Sequence, residues 1–362
     1  MTEKLKMPEI LDYLDNYNRP ITSKLNIADQ MIFARLPFLP LAGIVSEDLT
    51  NQISLPTAMR LIEKSLSTVS KYLLLPNDRV LIKKLATSFR YQNVMLSGFR
   101  DLHENDLRTQ CAALLVQTEP HQKVISYRGA DGTSLGWKSD LKITYDFEEK
   151  SWQTFSLTYL DQVLGSSNDA LQLIGFSKGG TMAIWAAIMA AKEIQSHIQQ
   201  VVNFDGPQFS SAPKIADSLA IDFHTYLPQL PFFGIGSSYP SLPKIVFSSA
   251  SGIWQHDLYS WRLQDDAPLV LGTASVMNSF LNTDLRTWLH NQKPEDVNQF
   301  VEIFWKSLND TQAITVNDLI KHWQQVTKNF QIASQSWNLE AKEMGQKALQ
   351  AAFRIIVSFT RF

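Results

Sequence analysis

The sequence has few cysteines, no basic run and no long apolar segment, and each absence excludes a class of protein. Cys111 is the only cysteine among 362 residues, which excludes an internal disulfide and a multi-cysteine metal site and is typical of a reducing compartment. Lys and Arg are dispersed along a chain with a formal net charge of −2, so we do not expect a nucleic-acid partner. We also expect neither a metal nor a cofactor.

Apolar residues are frequent but never continuous enough to cross a membrane. No segment approaches the roughly 20 uninterrupted apolar residues of a transmembrane helix, and the N-terminal residues lack the apolar core of a signal peptide. We therefore expect a cytoplasmic protein without a transmembrane segment. Hydrophobic residues make up 44% and charged residues 19% of the chain, which is typical of a folded globular protein.

The middle of the chain alternates short apolar runs with longer amphipathic segments. Two runs joined by a turn predict a β-hairpin, CAALLVQT and KVISYRG, and three more predict strands, LQLIGF, VVNFDG and KIVFSSA. Two longer segments predict helices, SWQTFSLTYLDQVL and GGTMAIWAAIMAAKEIQSHI. Because strands that alternate with helices pair in parallel through right-handed crossovers, we expect an α/β-hydrolase-like, mostly parallel sheet with helices on both faces.

The N-terminal part of the chain has a different pattern. Up to about Leu49, polar residues surround an apolar block in which Pro37 and Pro40 interrupt any long helix, and we interpret this part as an arm that packs on the main domain. The next segment, up to about Gly98, has apolar residues at helical spacing and predicts two helices on either side of Pro76.

The C-terminal part is predicted to be helical. Residues 207–243 form a long insertion rich in proline and aromatic residues, and segments of that length are usually functional. After Trp261 the apolar spacing becomes helical again. We therefore expect an α/β-hydrolase domain over residues 1–265, which includes the N-terminal arm, and a helical C-terminal extension over residues 266–362.

The pentapeptide GFSKG, from Gly175 to Gly179, matches the G-x-S-x-G pattern of a nucleophile elbow. A predicted strand runs into it and a predicted helix runs out of it, which is the setting that the motif requires. The two glycines would provide room for a sharp turn at Ser177, and the N–H of Lys178 would be one oxyanion donor. The alternative is a glycine-rich turn with an inert serine.

A second oxyanion donor is expected from YRGADGTSLGWKSDL, residues 127–141. This loop follows a predicted strand and is rich in small and polar residues, and the N–H of Ala130 is our candidate. The alternative is an ordinary loop in which Trp137 is a packing anchor.

Five histidines follow Ser177, and a catalytic base is expected in a loop at the carboxyl edge of the sheet. His256, in SGIWQHDLYSW after a predicted strand, is the first candidate, and His224 in the insertion is the second. The other three lie in predicted helices, His197, His290 and His322, and we interpret them as remote, surface or packing residues.

The acid is less sharply predicted than the serine and the base. Asp205 ends the strand VVNFD, at the same sheet edge as Ser177, although an aspartate in the sequence DGP also suits a turn. Asp257 and Asp222 are the other candidates. Asp257 is the neighbour of His256 in the chain, and adjacent side chains usually diverge.

Four motifs together resemble a bacterial α/β-hydrolase family of unknown function that is related to the class 3, fungal-type lipases: YRGADGTSLGWKSDL, GFSKGG, NFDGPQF and SGIWQHDLYSW. The resemblance runs from about Leu11 to about Trp261. It implies an α/β-hydrolase fold and a serine-hydrolase triad, with Ser177 and His256 on the family's serine and histidine motifs.

The chain departs from that family at three places. The family more often has His where Phe176 stands and Thr where Ala130 stands, so any oxyanion contact here must come from the backbone or from Thr133. The related lipases place their acid in a region that reads HTYLPQLPFFG in this chain and contains no aspartate, which favours Asp205 as the acid.

These residues predict a serine hydrolase that cleaves carboxylic esters, including lipid-like ones, through an acyl-enzyme on Ser177. His256 would be the base and Asp205 the acid, and the substrate partner would be a small-molecule or lipid ester. Two alternatives remain open at this point: a hydrolase-fold binding or regulatory module without turnover, and an acyltransferase that uses the same serine.

Overall fold

The structure is a computed structural model that describes most of the chain. It describes residues 7–17, 19–21, 25–66, 75–103, 110–129, 150–165, 169–207, 220–228, 239–250 and 255–272 and, nearer the C-terminus, 303, 306–307, 310, 322–339, 341–343, 345–347 and 349–350.

The described residues form α-helices and β-strands with the following bounds. The helices are α1 Ile10–Asn16, α2 Ile27–Arg35, α3 Leu55–Lys64, α4 Pro76–Thr87, α5 Lys150–Leu164, α6 Lys178–Met189, α7 Lys192–Gln195 and α8 Trp323–Ala333. The strands are β1 Ile53–Ser54, β2 Met95–His103, β3 Gln110–Glu119, β4 Gln122–Arg128, β5 Ala170–Phe176, β6 Ile198–Phe204, β7 Asp222–Pro228, β8 Lys244–Val246, β9 Leu263–Gln264, β10 Ala267–Pro268 and β11 Val270–Gly272.

One large mixed sheet organises the fold. Its strand order is β1-β2-β3-β4-β5-β6-β7-β8-β11. Strands β4 to β8 are parallel to one another, whereas β1 to β3 and β11 add antiparallel pairings on the two sides. The predicted α/β fold class is therefore confirmed, and the β3–β4 hairpin forms as predicted.

The two faces of the sheet pack against different helices. Alternate residues of one strand point to opposite faces, and in β5 Ile174 belongs to the core under helices α1 to α4, whereas Leu173 belongs to the core under α5 and α6. Both side chains are fully buried. The parallel centre of the sheet is thus covered on both sides, which is why its strands are nearly continuous apolar runs.

The N-terminal segment packs directly on this sheet. Helix α2 is buried along almost its whole length, and the side chain of Gln30 donates hydrogen bonds to Gln172 in β5 and Gln200 in β6. The 3-10 turn Leu36–Phe38 follows α2 without a break. Residues of the N-terminal segment therefore reach the middle of the sheet.

Six of the described strands were not predicted from the sequence: the two-residue strands β1, β9 and β10, and the strands β2, β7 and β11. Strand β2 lies in MLSGFRDLH, where a mixture of polar and apolar residues hides the alternation. Strand β7 lies within the predicted insertion and pairs in parallel with β6 and β8, so that segment contributes to the sheet. Strand β11 pairs with β8, and it extends the sheet beyond residue 265, where the sequence had suggested a boundary.

One predicted helix is shorter than expected. The helix after GFSKG ends at Met189, because Ala190 adopts an extended conformation with ψ 155°. A short helix, α7, follows, and the chain then enters β6 at Ile198 to pair with Leu171. Among the described residues no helix combines the length and the apolar character needed to cross a membrane.

Candidate active site

A sharp turn joins the carboxyl end of β5 to the first residue of α6. Ser177 occupies this turn with φ 56° and ψ −139°, a region that costs a non-glycine residue on the order of 1–3 kcal/mol. The Ser177 N–H donates to the Phe204 carbonyl at 2.9 Å. The serine is therefore held at the end of a central strand in a strained conformation.

Glycines on both sides of the serine allow the strand and the helix to approach each other. A Cβ atom at Gly175 would overlap the backbone of Gly179, and one at Gly179 would overlap the Tyr127 carbonyl in β4. The small residues of GFSKG are thus required by close backbone contact.

The imidazole of His256 bridges Ser177 and Asp205. His256 Nε2 lies 3.0 Å from Ser177 Oγ, and His256 Nδ1 lies 2.7 Å from Asp205 Oδ2. Because an ionised carboxylate only accepts hydrogen bonds, the Nδ1 atom carries the hydrogen, and Nε2 of the neutral ring accepts from the serine hydroxyl. The structure thus brings the three sequence candidates into one hydrogen-bonded row, which we call the Ser177–His256–Asp205 row.

Strand pairing explains why Asp205 lies beside Ser177. The register of β5 on β6 places Phe176 opposite Phe204, so the residues that follow each of them leave the sheet side by side. Asp205 has φ 48°, which gives the backbone a turn here as well. Asn203 Oδ1 accepts the Gly206 N–H at 2.8 Å and thereby stabilises that turn.

The side chains of the row are largely buried, and the carboxylate is the most buried of the three. His256 is 17% exposed and Asp205 is 0% exposed, while Ser177 retains 7%. A carboxylate that is excluded from water interacts more strongly with a neighbouring positive charge than an exposed one does.

The predicted oxyanion donors have different outcomes. Lys178 is the first residue of α6, so its N–H belongs to the helix-terminal amides that lack an acceptor within the helix. A Cβ atom at Gly129 would overlap the Lys178 side chain, so the end of β4 lies against the elbow. Ala130, Thr133 and Trp137 lie outside the described residues.

The other candidate base and acids make hydrogen bonds outside the Ser177–His256–Asp205 row. His224 Nε2 lies 2.7 Å from Asp222 Oδ2, and both residues are in the first half of β7, whereas the row is at the carboxyl ends of the strands. Asp257 Oδ1 accepts the Tyr259 N–H at 2.9 Å. Burial raises the pKa of Asp257, although the Tyr259 N–H and Arg35 oppose that shift.

The three remaining histidines are also accounted for. His197 lies in the turn before β6, at the opposite sheet edge, and not in a helix as predicted. His322 directly precedes α8, and His290 lies outside the described residues. In the part of the chain that the structure describes, no cluster of three or more His, Cys, Asp or Glu side chains is arranged to bind a metal ion.

Phe176 is a site residue that sequence reasoning did not assign a role. Its ring packs against the His256 imidazole, with ring centroids 4.5 Å apart and an interplanar angle of 33°. The only signal in the sequence was its position next to Ser177, since the contact joins segments 80 residues apart in the chain.

The chain has the α/β-hydrolase fold. Its sheet is mostly parallel with helices on both faces, and the serine turn follows the carboxyl end of the central strand β5. A family model described as Mbeg1-like matches residues 85–306, more than half of the chain. The chain therefore belongs to the Mbeg1-like family, and the predicted relation to a lipase-like family is confirmed.

Several solved lipase structures are similar to the chain. The Rhizomucor miehei lipase is 11% identical with a TM-score of 0.36, over 66% of this chain and 81% of the lipase. MDLA from Penicillium cyclopium is 13% identical with a TM-score of 0.38, over 77% and 95%. Lipase II from Rhizopus niveus is 13% identical with a TM-score of 0.30, over 56% and 84%. Among curated proteins no sequence matches the chain.

Proposed function

We propose that this protein is a serine hydrolase that cleaves carboxylic esters through an acyl-enzyme on Ser177. The observation that carries the proposal is the single imidazole that bridges a strained serine and a buried carboxylate. This combination gives a serine its base and gives the base its orienting acid.

The reaction begins when Ser177 Oγ attacks the ester carbonyl carbon. The hydroxyl proton passes to His256 Nε2, and Asp205 stabilises the imidazolium that results. As the tetrahedral intermediate collapses, the carbon–oxygen bond of the ester breaks and His256 returns the proton to the leaving alcohol. A water molecule, activated by His256, then attacks the acyl-enzyme in the same way and releases the carboxylic acid product.

Backbone donors stabilise the negative oxygen that develops during each attack. The Lys178 N–H at the start of α6 is the first donor in our proposal, and the Ala130 N–H after Gly129 is the second. Removal of one such donor typically costs on the order of 10²–10³-fold in kcat. Burial of the row and the contact of Gly129 with Lys178 support this arrangement.

Among esters, we propose substrates with apolar acyl chains. The Phe176 ring packs against the His256 imidazole next to Ser177, and apolar walls with few polar groups are typical of sites for such substrates. Because strand β7 belongs to the sheet, the aromatic residues within it do not contribute to this argument.

Active-site labelling tests the proposal. A fluorophosphonate probe forms a covalent bond only with an activated serine, so we expect the wild-type protein to be labelled and Ser177→Ala to remain unlabelled. Ser196→Ala is the matched control, because Ser196 lies on the surface and its loss should leave labelling unchanged. A folded wild-type protein without label would overturn the proposal.

Hydrolysis of a p-nitrophenyl ester series then tests the base and the substrate class. We expect His256→Ala to lose about 10²–10⁴-fold in kcat/KM, the range of a general base. His224→Ala, which removes a histidine that also contacts an aspartate, should stay within twofold. Strong preference for short acyl chains would exclude the apolar substrate class and leave the esterase proposal intact.

A further inference from the structure

Behind the His256 imidazole lies a buried cluster that the proposed reaction does not use. The Phe176 ring contacts the imidazole, and the guanidinium of Arg35, at the end of α2, lies 5.6 Å from the centroid of that same ring. Arg35 is also 4.4 Å from the Phe38 ring and 5.6 Å from the Tyr259 ring. The cation is therefore surrounded by aromatic rings, one of which touches the proposed base.

Asp78 connects this cation to the loop that carries His256. The Asp78 carboxylate in α4 lies 2.6 Å from Arg35 Nη2, and both side chains are 0% exposed. The Tyr259 hydroxyl donates to the same Asp78 oxygen at 2.8 Å. Tyr259 lies three residues after His256, in residues 255–261, which we call the histidine loop. The Asp78 carboxylate therefore contacts both this loop and Arg35, whose guanidinium packs near the Phe176 ring.

The charges in this cluster keep it intact. Burial alone would lower the pKa of Arg35, but the charge of Asp78 raises it above its ordinary value, so the guanidinium stays protonated. Burial, and then the Asp78 charge, raise the pKa of Tyr259 well above its ordinary value, so its hydroxyl keeps the proton that it donates. The hydrogen bonds therefore persist across the neutral pH range.

Other hydrogen bonds connect residues within the histidine loop. The Trp261 indole N–H donates to the Gln255 carbonyl at 2.7 Å, and the Asp257 carboxylate accepts the Tyr259 N–H.

Two Arg35 nitrogens, Nε and Nη1, have no hydrogen-bond partner among the described residues. The Arg35 guanidinium makes one ion pair and leaves other N–H groups without acceptors in the described part of the chain, but it contacts three aromatic rings. We infer that its main structural role is to pack against those rings.

We propose that Arg35, Asp78 and Tyr259 are positioning residues that hold the His256 imidazole between Ser177 and Asp205. The proposal rests on the proposed hydrolase function. Catalytic hydrogen bonds need close alignment. A mutation far from the chemistry that misplaces the reacting groups by about 1 Å can reduce the rate on the order of 10²-fold. Residues behind a catalytic group supply that alignment when their own conformations are fixed by packing and hydrogen bonds.

Tyr259→Phe tests the proposal with a matched control elsewhere in the fold. The variant keeps the ring and removes only the hydroxyl that ties the histidine loop to Asp78. The control is Tyr91→Phe, because the Tyr91 hydroxyl donates to Asp29 at 2.7 Å in a second buried cluster, whose arginine is Arg90. We expect Tyr259→Phe to lower kcat about tenfold with KM unchanged, and Tyr91→Phe to keep kcat within twofold.

Nuclear magnetic resonance of ¹⁵N-labelled histidine gives a readout that does not depend on turnover. The His256 signals are assigned by their loss in His256→Ala, and we expect their Nδ1 and Nε2 shifts to move in Tyr259→Phe and not in Tyr91→Phe. Unchanged shifts and kcat in Tyr259→Phe, or equal changes in both variants, would overturn the positioning role. An inactive, unlabelled wild type would instead refute the hydrolase function, and the ¹⁵N shifts would still decide whether the cluster positions His256.

Discussion

Asp29 and Asp205 are both fully buried, but the groups around them differ in kind. Asp29 accepts hydrogen bonds from Arg90 Nε at 2.7 Å and from the Tyr91 hydroxyl at 2.7 Å. Asp205 accepts from His256 Nδ1 at 2.7 Å, and the other nitrogen of that imidazole faces a serine hydroxyl. The two carboxylates are equally buried and differ in the chemistry of their partners.

In our proposal this difference separates a structural carboxylate, Asp29, from a carboxylate that takes part in catalysis, Asp205. Arginine stays protonated at all ordinary pH values, so Arg90 cannot act as a base beside Asp29. Histidine gains and loses its proton near neutral pH, and its two nitrogens allow a carboxylate on one side to act on a hydroxyl on the other. Burial of an aspartate therefore indicates function only together with a partner that titrates.

Matched substitutions of the two aspartates should affect different properties, activity for Asp205 and stability for Asp29. This is the largest difference that we expect. Asp205→Asn should reduce kcat/KM of ester hydrolysis by about 10³–10⁴-fold, because an amide in that place favours the wrong imidazole tautomer. Asp29→Asn should instead lower the free energy of unfolding by about 3–5 kcal/mol, because it leaves the Arg90 charge buried without its counter-ion.

Steady-state kinetics and urea unfolding of both variants make this comparison. Activity of Asp29→Asn is expressed per folded molecule, with the folded fraction taken from the unfolding curve, and should remain within twofold of wild type. Equal losses of kcat/KM in the two variants would assign Asp205 a structural role and refute its role as the acid.

Alkaline pH should lower the stability that the Asp29 and Asp78 clusters contribute in the same way, because each contains a buried tyrosine that donates to the aspartate. Burial, followed by the charge of the neighbouring aspartate, raises the pKa of Tyr91 and of Tyr259 well above 10. Below pH 10 both tyrosines are neutral in the folded and the unfolded chain. As the pH rises above 10, only the unfolded chain ionises, so the stability that these residues contribute is lost.

Each buried tyrosine should then reduce the unfolding free energy by about 1 kcal/mol between pH 10 and pH 11. Urea unfolding at pH 10 and 11 measures this slope, and absorbance of tyrosinate reports when ionisation occurs. Tyr91→Phe and Tyr259→Phe should each make the slope shallower by the contribution of one tyrosine. A slope that neither variant changes would show that other groups cause the alkaline loss.

The fold was predictable where local patterns are strong. Strands β4, β5 and β6 are buried on both faces and read as apolar runs, and the segment from Lys178 to Met189 is apolar with small residues at close contacts. Strand β2 was not predicted because polar and apolar residues are mixed along it and hide the alternation. Strand β7 was not predicted because its charged first residue and its final proline resemble a loop.

The site was predictable in part, and for a physical reason. Ser177 and its glycines form a local turn whose sequence requirements are strict, and Asp205 and His256 follow strand ends, which meet at one edge of a parallel sheet. The contacts of Arg35 with Asp78 and of Tyr259 with Asp78 join residues 43 and 181 positions apart. Contacts over such separations leave no periodic signal in one sequence, so the support behind His256 required the structure.

Backbone strain is the last and smallest difference between the two regions. Among the described non-glycine residues only four have positive φ, and two of these are Ser177 and Asp205. Glycine adopts the Ser177 conformation without a steric penalty, whereas alanine does not. We therefore expect Ser177→Gly to be more stable than Ser177→Ala by about 1 kcal/mol, after the greater entropy of glycine in the unfolded chain is included.

Thermal unfolding of the two Ser177 variants measures this difference directly, since both lack the hydroxyl and its contact with His256. Ser156, buried in helix α5, provides the control, because there glycine should be less stable than alanine by about 1 kcal/mol. If Ser177→Gly were also the less stable variant of its pair, the positive φ would hold no strain. A reversal of sign between the two sites would instead mean that the elbow serine is kept at a cost in stability, as expected where a reactive side chain has to project from a sharp turn.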